Sequence, residues 1–170
     1  MAVLIEAISV VVRRVGIESK LTNGWREFQD FVPNRSLCSD ADSARVGFMS
    51  PDDVRSFFVQ MKSLGLDPVG DLVVVDQRTG PTTRCDWIEF SKATSLHPGV
   101  PLVATARLTG SANTEIATPE NWNYEGSISA TYVFVPNEHV DKALKYLRTE
   151  NGVDVYRSEL TGKEVFLGRA

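Results

Sequence analysis

Nowhere does this chain carry an apolar run approaching the roughly 18 to 20 residues that cross a bilayer, so no transmembrane helix is expected. Cysteine is scarce. Cys38 and Cys85 lie far apart and form no CxxC or CxxxxC cluster, which points away from a zinc site or a disulfide framework and makes reduced thiols the default. The two histidines, His97 in "SLHPGV" and His139 at the start of an expected helix, belong to no motif. A P-loop, a dinucleotide-binding GxGxxG, a GxSxG elbow, HExxH and a complete EF-hand loop are all missing. Asp40 and Asp42 in "CSDADS" open like a calcium loop, yet the glycine and glutamate that such a loop needs do not follow. No cofactor is expected. Basic residues are also scattered, with pairs such as Arg13-Arg14 and no longer run, and the net charge is −4. Binding to nucleic acid needs a concentrated positive face, so that class is disfavoured.

What remains is the composition of an ordinary globular protein, 42% hydrophobic and 24% charged, in a chain long enough to bury a core without staples. One domain over 1–170 is expected. The opening "MAVLIEAISVVVRRVGIESK" has no basic region before its apolar run and no small-residue cleavage site after it, so it reads as a strand, and the cytoplasm as the compartment.

Along the chain, Ile5 to Val12 is rich in β-branched residues and reads as a central strand covered on both faces. "VGIESKL" suggests a helical turn, and Trp25, Phe28 and Val32 share a helix spacing that Pro33 stops. A polar loop over Ser39 to Ser43 leads to a strand at Arg45 to Met49. "SPDDVRSFFVQMKSLGL" then has every part of a helix: Ser50 as N-cap, Pro51 in the first turn, Asp53 completing a capping box, an apolar stripe from Val54 to Leu64, and Gly65 as a left-handed cap. Strands are expected at Leu72–Asp76, Cys85–Phe90 and Pro101–Gly110 as a meander, with the polar turn "QRTGPTTR" between the first two. "SISATYVFV" reads as a strand, Asn137 as the cap of a helix carrying Val140, Ala143, Leu144 and Leu147, and "VDVYRS" with "EVFLG" as a closing hairpin.

One constant offset carries Val54, Phe57, Phe58 and Met61 onto Val140, Ala143, Leu144 and Leu147, and the preceding strands align with it. The fold class that follows is α+β: two β-α-β-β units with helices packed on one face of an antiparallel or mixed sheet. Two pseudo-equivalent halves, about 1–95 and 96–170, are one organisation this pattern allows. Any two strand-helix junctions of similar length would align comparably, which is the plainer explanation.

The segments "SPDDV", "SLGL", "VVVDQ" and "WIEF" between Arg45 and Phe90 resemble one βαβββ module of the vicinal-oxygen-chelate superfamily, the glyoxalase and bleomycin-resistance proteins. The resemblance implies a small-molecule binder or metalloenzyme and places Glu89 where that family often keeps a metal-binding glutamate. The early strands "ISVVV" and "ARVGFM" offer no companion ligand, and one carboxylate alone holds no metal.

Two loops hold the candidate binding residues. "VDQRTGPTTRCDW" brings Asp76, Arg78, Arg84, Cys85, Asp86 and Trp87 to the tip of an expected hairpin, where chain reversal alone accounts for much of the composition. "TPENWNYEG" places Trp122 and Tyr124 among acidic and amide side chains, a mixture suited to anchoring a protein partner, or to pinning the loop on the core. The leading expectation is a small non-catalytic binding or protein-interaction protein of the immunity or accessory kind, with a protein or a small molecule as partner. A homodimer through an edge strand of the closing hairpin is compatible with it.

Overall fold

The N-terminal apolar segment forms two strands, β1 (Ala2–Ile5) and β2 (Ile8–Arg13), where the sequence reads as one. This is seen in a computed structural model, which describes residues 2–96, 98–112, 115–131, 144–158, 162 and 164–168. The break falls at Glu6 and Ala7, and Ala7 has φ 47°, a left-handed conformation that costs a residue with a Cβ about 1–2 kcal/mol. Hydrogen bonds offset that cost. Ser9 Oγ accepts from the Glu6 N–H at 3.2 Å and donates to the Glu6 carbonyl at 2.8 Å, while the Ala7 N–H donates to Gln77 Oε1 at 2.7 Å.

The kink sends the two strands into different sheets. β2 lies in a five-stranded antiparallel sheet ordered β3 (Cys38–Ser39), β4 (Ser43–Phe48), β2, β5 (Leu72–Asp76), β6 (Gly80–Pro81). β1 lies in a four-stranded mixed sheet ordered β7 (Ile88–Thr94), β8 (Val103–Leu108), β1, β9 (Ile116–Ala117), in which only the β1–β9 pair is parallel.

Side chains alternate along β2, so its two faces enter different cores. Ile8, Val10 and Val12 join Ala44, Val46 and Leu72 beneath three helices, α1 (Arg14–Lys20), α2 (Gly24–Phe31) and α3 (Pro51–Ser63), which contribute Ile17, Phe28, Val54, Phe57 and Met61. Val11 faces the other way and joins Val73, Val75, Leu4, Ile88 and Ala106. The result is a layer of helices on one face of a sheet, with a second sheet behind it. This is an α+β fold, and each large buried side chain such as Phe28 or Phe57 contributes about 1.5–3 kcal/mol.

α3 has the start and stop its sequence prescribes. Ser50 Oγ accepts from the Asp52 N–H at 3.2 Å, and Gly65, at φ 100°, closes the helix with Gly65 N–H to Lys62 O at 3.0 Å and Leu66 N–H to Met61 O at 3.2 Å. The capping box is not completed. The Asp53 side chain makes no hydrogen bond among the described residues, and Ser50 Oγ instead donates to the Asn151 carbonyl at 2.6 Å.

Three expectations need correction. β5 pairs with β2 and β6 while β7 pairs with β8, so the strands around "QRTGPTTR" are not hairpin neighbours; residues 82–87 carry the chain from one sheet to the other. The stretch Ser127–Val135 begins with a short helix, α4 (Ile128–Thr131), and its remainder lies outside the described residues. The expected second helix is a strand in its described part, β10 (Leu144–Glu150), so Leu144 and Leu147 are extended where Phe58 and Met61 are helical; Val140 and Ala143 lie outside the described residues. In "LKYLRTENGVDVYRS" the alternation and the Asn-Gly turn win over the helical spacing, and β10 pairs with β11 (Val153–Ser158), which pairs with β12 (Glu164–Gly168) as the closing hairpin requires.

Candidate functional site

Between the two sheets lies an ion pair the apolar strands give little reason to expect. Arg45, on β4, is fully buried, and Glu6, at the kink, is 2% exposed. Arg45 Nη2 donates to Glu6 Oε2 at 3.1 Å, its Nε to the Leu4 carbonyl, and its Nη1 to the Ser36 carbonyl at 2.9 Å. The other oxygen, Glu6 Oε1, accepts from Trp122 Nε1 at 2.8 Å and from Ser129 Oγ at 2.9 Å. Both charges are therefore met by partners, the condition under which a buried pair is tolerable. Cys38 packs into the same layer, and burial pushes its thiol above the ordinary value while Arg45 pulls it down. It is a core residue rather than a nucleophile.

Trp122 is thereby fixed over the network, and it borders a hollow of about 510 Å³ with Glu6 at its floor. Gly47, Phe48 and Met49 at the end of β4 form one wall; Asn34 to Ser36 and the segment from Pro119 to Ile128 form the others. Gly47 is required there by close packing, since a Cβ would sit 2.8 Å from Arg45 Nη1 and 2.9 Å from Ile128 Cδ1. Asn34 and Ser36 are held in place by the Gly47 backbone, with Asn34 Nδ2 donating to its carbonyl at 2.9 Å and Ser36 Oγ accepting its N–H at 2.7 Å. The rim carries Arg35, Asp53 and Glu120, exposed and without hydrogen bond or ion pair among the described residues. Asn34, Phe48 and Asp53 also border a second hollow of about 640 Å³ along α3, so the two are neighbours. The arrangement offers an immobilised indole, apolar walls and exposed charges of both signs.

Of the residues singled out in the sequence, Trp122 and Tyr124 stand together, edge to face at 6.5 Å, and Trp122 belongs to this site. The hairpin-tip group divides. Asp76 Oδ1 accepts from the Arg78 N–H at 2.7 Å and from Arg78 Nε at 3.3 Å, building the β5–β6 turn, and Arg78 borders a separate hollow. Trp87 is tied down by its Nε1 on the Val69 carbonyl at 3.0 Å and lies under the Arg13 guanidinium at 5.5 Å. Cys85 packs against the core between the sheets, the Asp86 carbonyl accepts from the Thr109 hydroxyl, and Arg84 is exposed. None of these four borders either hollow. Glu89 accepts from Arg107 Nε at 2.7 Å on the outer strand β7, and among the described residues no group of three or more His, Cys, Asp or Glu is placed to hold a metal ion.

Glu6, Arg45, Ser129, Asn34 and Asp53 were not legible as site residues, though one signal existed: single charges, Glu6 and Arg45, inside strands otherwise apolar. No helix among the described residues is long and apolar enough to cross a membrane. Comparison with protein families, with curated proteins and with solved structures finds no match to this chain.

Proposed function

We propose that the protein is a non-catalytic binding protein of the cytoplasm that receives a segment of a partner protein in the Trp122 hollow. The observation that carries this reading is the indole of Trp122, locked by a hydrogen bond to a buried carboxylate and bordering a hollow that has a second hollow beside it along α3. A rigid aromatic side chain in a concave, partly polar setting costs little ordering entropy on binding, which is why such residues anchor interfaces. Arg35, Asp53 and Glu120, whose side chains have no partner among the described residues, supply the polar rim such an interface uses.

Affinity capture from the native host tests it, comparing wild type with Trp122→Ala and with Asp53→Arg, the latter an exposed change that leaves the buried network intact. The expected result is one protein retained by wild type and lost from both variants. A partner retained equally by both places the interface elsewhere. A volume of about 510 Å³ also suits a small molecule; the vicinal-oxygen-chelate-like alternative centres instead on Glu89, which lies outside this hollow. That alternative requires Glu89 to leave Arg107 for a metal ion; near-stoichiometric divalent metal in untagged protein, lost in Glu89→Ala, is its signature. A homodimer through an outer edge of β10 or β12 is compatible with either reading, and light scattering reads it.

A further inference from the structure

A hollow of about 930 Å³ lies between the β5–β6 turn and the β7–β8 pair. Phe90, Leu102, Ala93 and Ala104 give it an apolar surface, and its charged border residues, Arg78 and Lys92, are both basic. In a chain of net charge −4, the Lys92 charge beside the Arg78–Asp76 pair draws anions locally and not through the field of the whole molecule.

The backbone is bent to make it. Ser91 pairs with Thr105 and Thr94 with Val103, so Lys92 and Ala93 together stand opposite Ala104 alone, a β-bulge. In a regular strand consecutive side chains face opposite sides, whereas here both residues border the same hollow. Arg78 is held at the other rim. Its side chain is 13% exposed, with Nε on Asp76 Oδ1 at 3.3 Å. Gly80, at φ 87°, lets the turn lie on Phe90, where a Cβ would come within 2.9 Å of the ring. Lys92 makes no hydrogen bond or ion pair among the described residues and Leu102 is 61% exposed, so a cation and an apolar surface are both available to a ligand.

We propose that this hollow binds a small amphipathic anion, a carboxylate or phosphate monoester on an apolar chain or ring, with the anionic head between Arg78 and Lys92 and the apolar part on Phe90, Leu102 and Ala104. The volume falls in the range of small-molecule sites, and the division into apolar lining plus a few fixed polar groups is their usual composition. The site is separate from the Trp122 hollow and stands or falls independently of it.

Amide-resolved NMR titration of the full chain with octanoate and with octyl phosphate tests this, with 1-octanol and inorganic phosphate as controls. The expected result is a saturable shift at the amides of Thr79, Ala93 and Ala104 for the amphipathic anions, weakened roughly three- to tenfold by Lys92→Gln, the net size of one solvent-exposed hydrogen bond. Leu102→Asp should weaken it as well. Both positions are exposed, so the variants keep the wild-type spectrum elsewhere. Equal binding of 1-octanol, equal binding of inorganic phosphate, unchanged affinity in both variants, shifts confined to Asn121 and Trp122, or no saturable shift would each overturn the proposal.

Discussion

The two hollows are built by opposite means from the same kind of irregularity. The Trp122 hollow sits beside the kink at Ala7, its floor is a buried ion pair, and its walls are mostly loops. The Phe90 hollow sits on the β7 bulge, its walls are mostly strands, and its cations are at the rim. Where strand pairing is regular, side chains interdigitate and leave no space; where one residue is twisted left-handed or inserted, the sheet opens. The first hollow is therefore expensive and rigid, because removing one partner of its floor strands a charge. The second is inexpensive and adjustable.

That contrast is broken most directly by removing half of the buried pair. Glu6→Leu leaves Arg45 charged and unpaired between the sheets, and urea denaturation should show a loss of about 3–5 kcal/mol. The double variant Glu6→Leu, Arg45→Met should recover most of it, since replacing both partners removes the desolvated charges. If the single and double variants lose equally, packing and not charge holds the floor. Next comes Trp122→Phe, which keeps the ring and deletes the donor to Glu6 Oε1; a loss of about 1.5–3 kcal/mol is expected for a bond to a buried charged group. In the second hollow, Gly80→Ala should cost about 1–2 kcal/mol for the left-handed backbone alone and shift the resonances of Phe90. By contrast, Lys92→Gln should leave stability within measurement error, because its side chain is exposed and makes no ion pair among the described residues.

A small effect is expected away from both hollows, in the β10–β12 sheet. The Arg148 guanidinium, hydrogen-bonded to Glu164 at 3.1 Å, holds that carboxyl below its ordinary value of 4.5. A depressed folded value means the pair stabilises above the ordinary value and loses its contribution as pH falls through the folded one. Lowering pH into that range should shrink the difference in melting temperature between wild type and Glu164→Gln. Because the pair is open to solvent, added salt should shrink it too.

Much of the helical layer was legible in the sequence, because α3 announces itself through neighbouring residues: Ser50 and Pro51 at one end, Gly65 at the other, and Val54, Phe57 and Met61 between. The stretch after Asn137 carried a similar apolar spacing, yet its described part is a strand, since Tyr146 and Tyr156 meet across the β10–β11 ladder and the Asn-Gly turn favours a hairpin. Trp122 was legible as an anchor. Its partner Glu6 was not, because the two are joined across 116 positions of sequence and no local pattern encodes such a pairing.

By itself the sequence determined the class of fold, an α+β body with helices on one face of a sheet, because periodicity, caps and turn residues act over a few neighbours. Only the tertiary structure decided that the first apolar run splits between two sheets, that Arg45 meets Glu6 beneath Trp122, and that a bulge turns Lys92 and Ala93 toward one hollow. Those are choices of strand partner and register, set by which surfaces pack across the whole chain, and a linear pattern of apolar residues leaves several of them equally open.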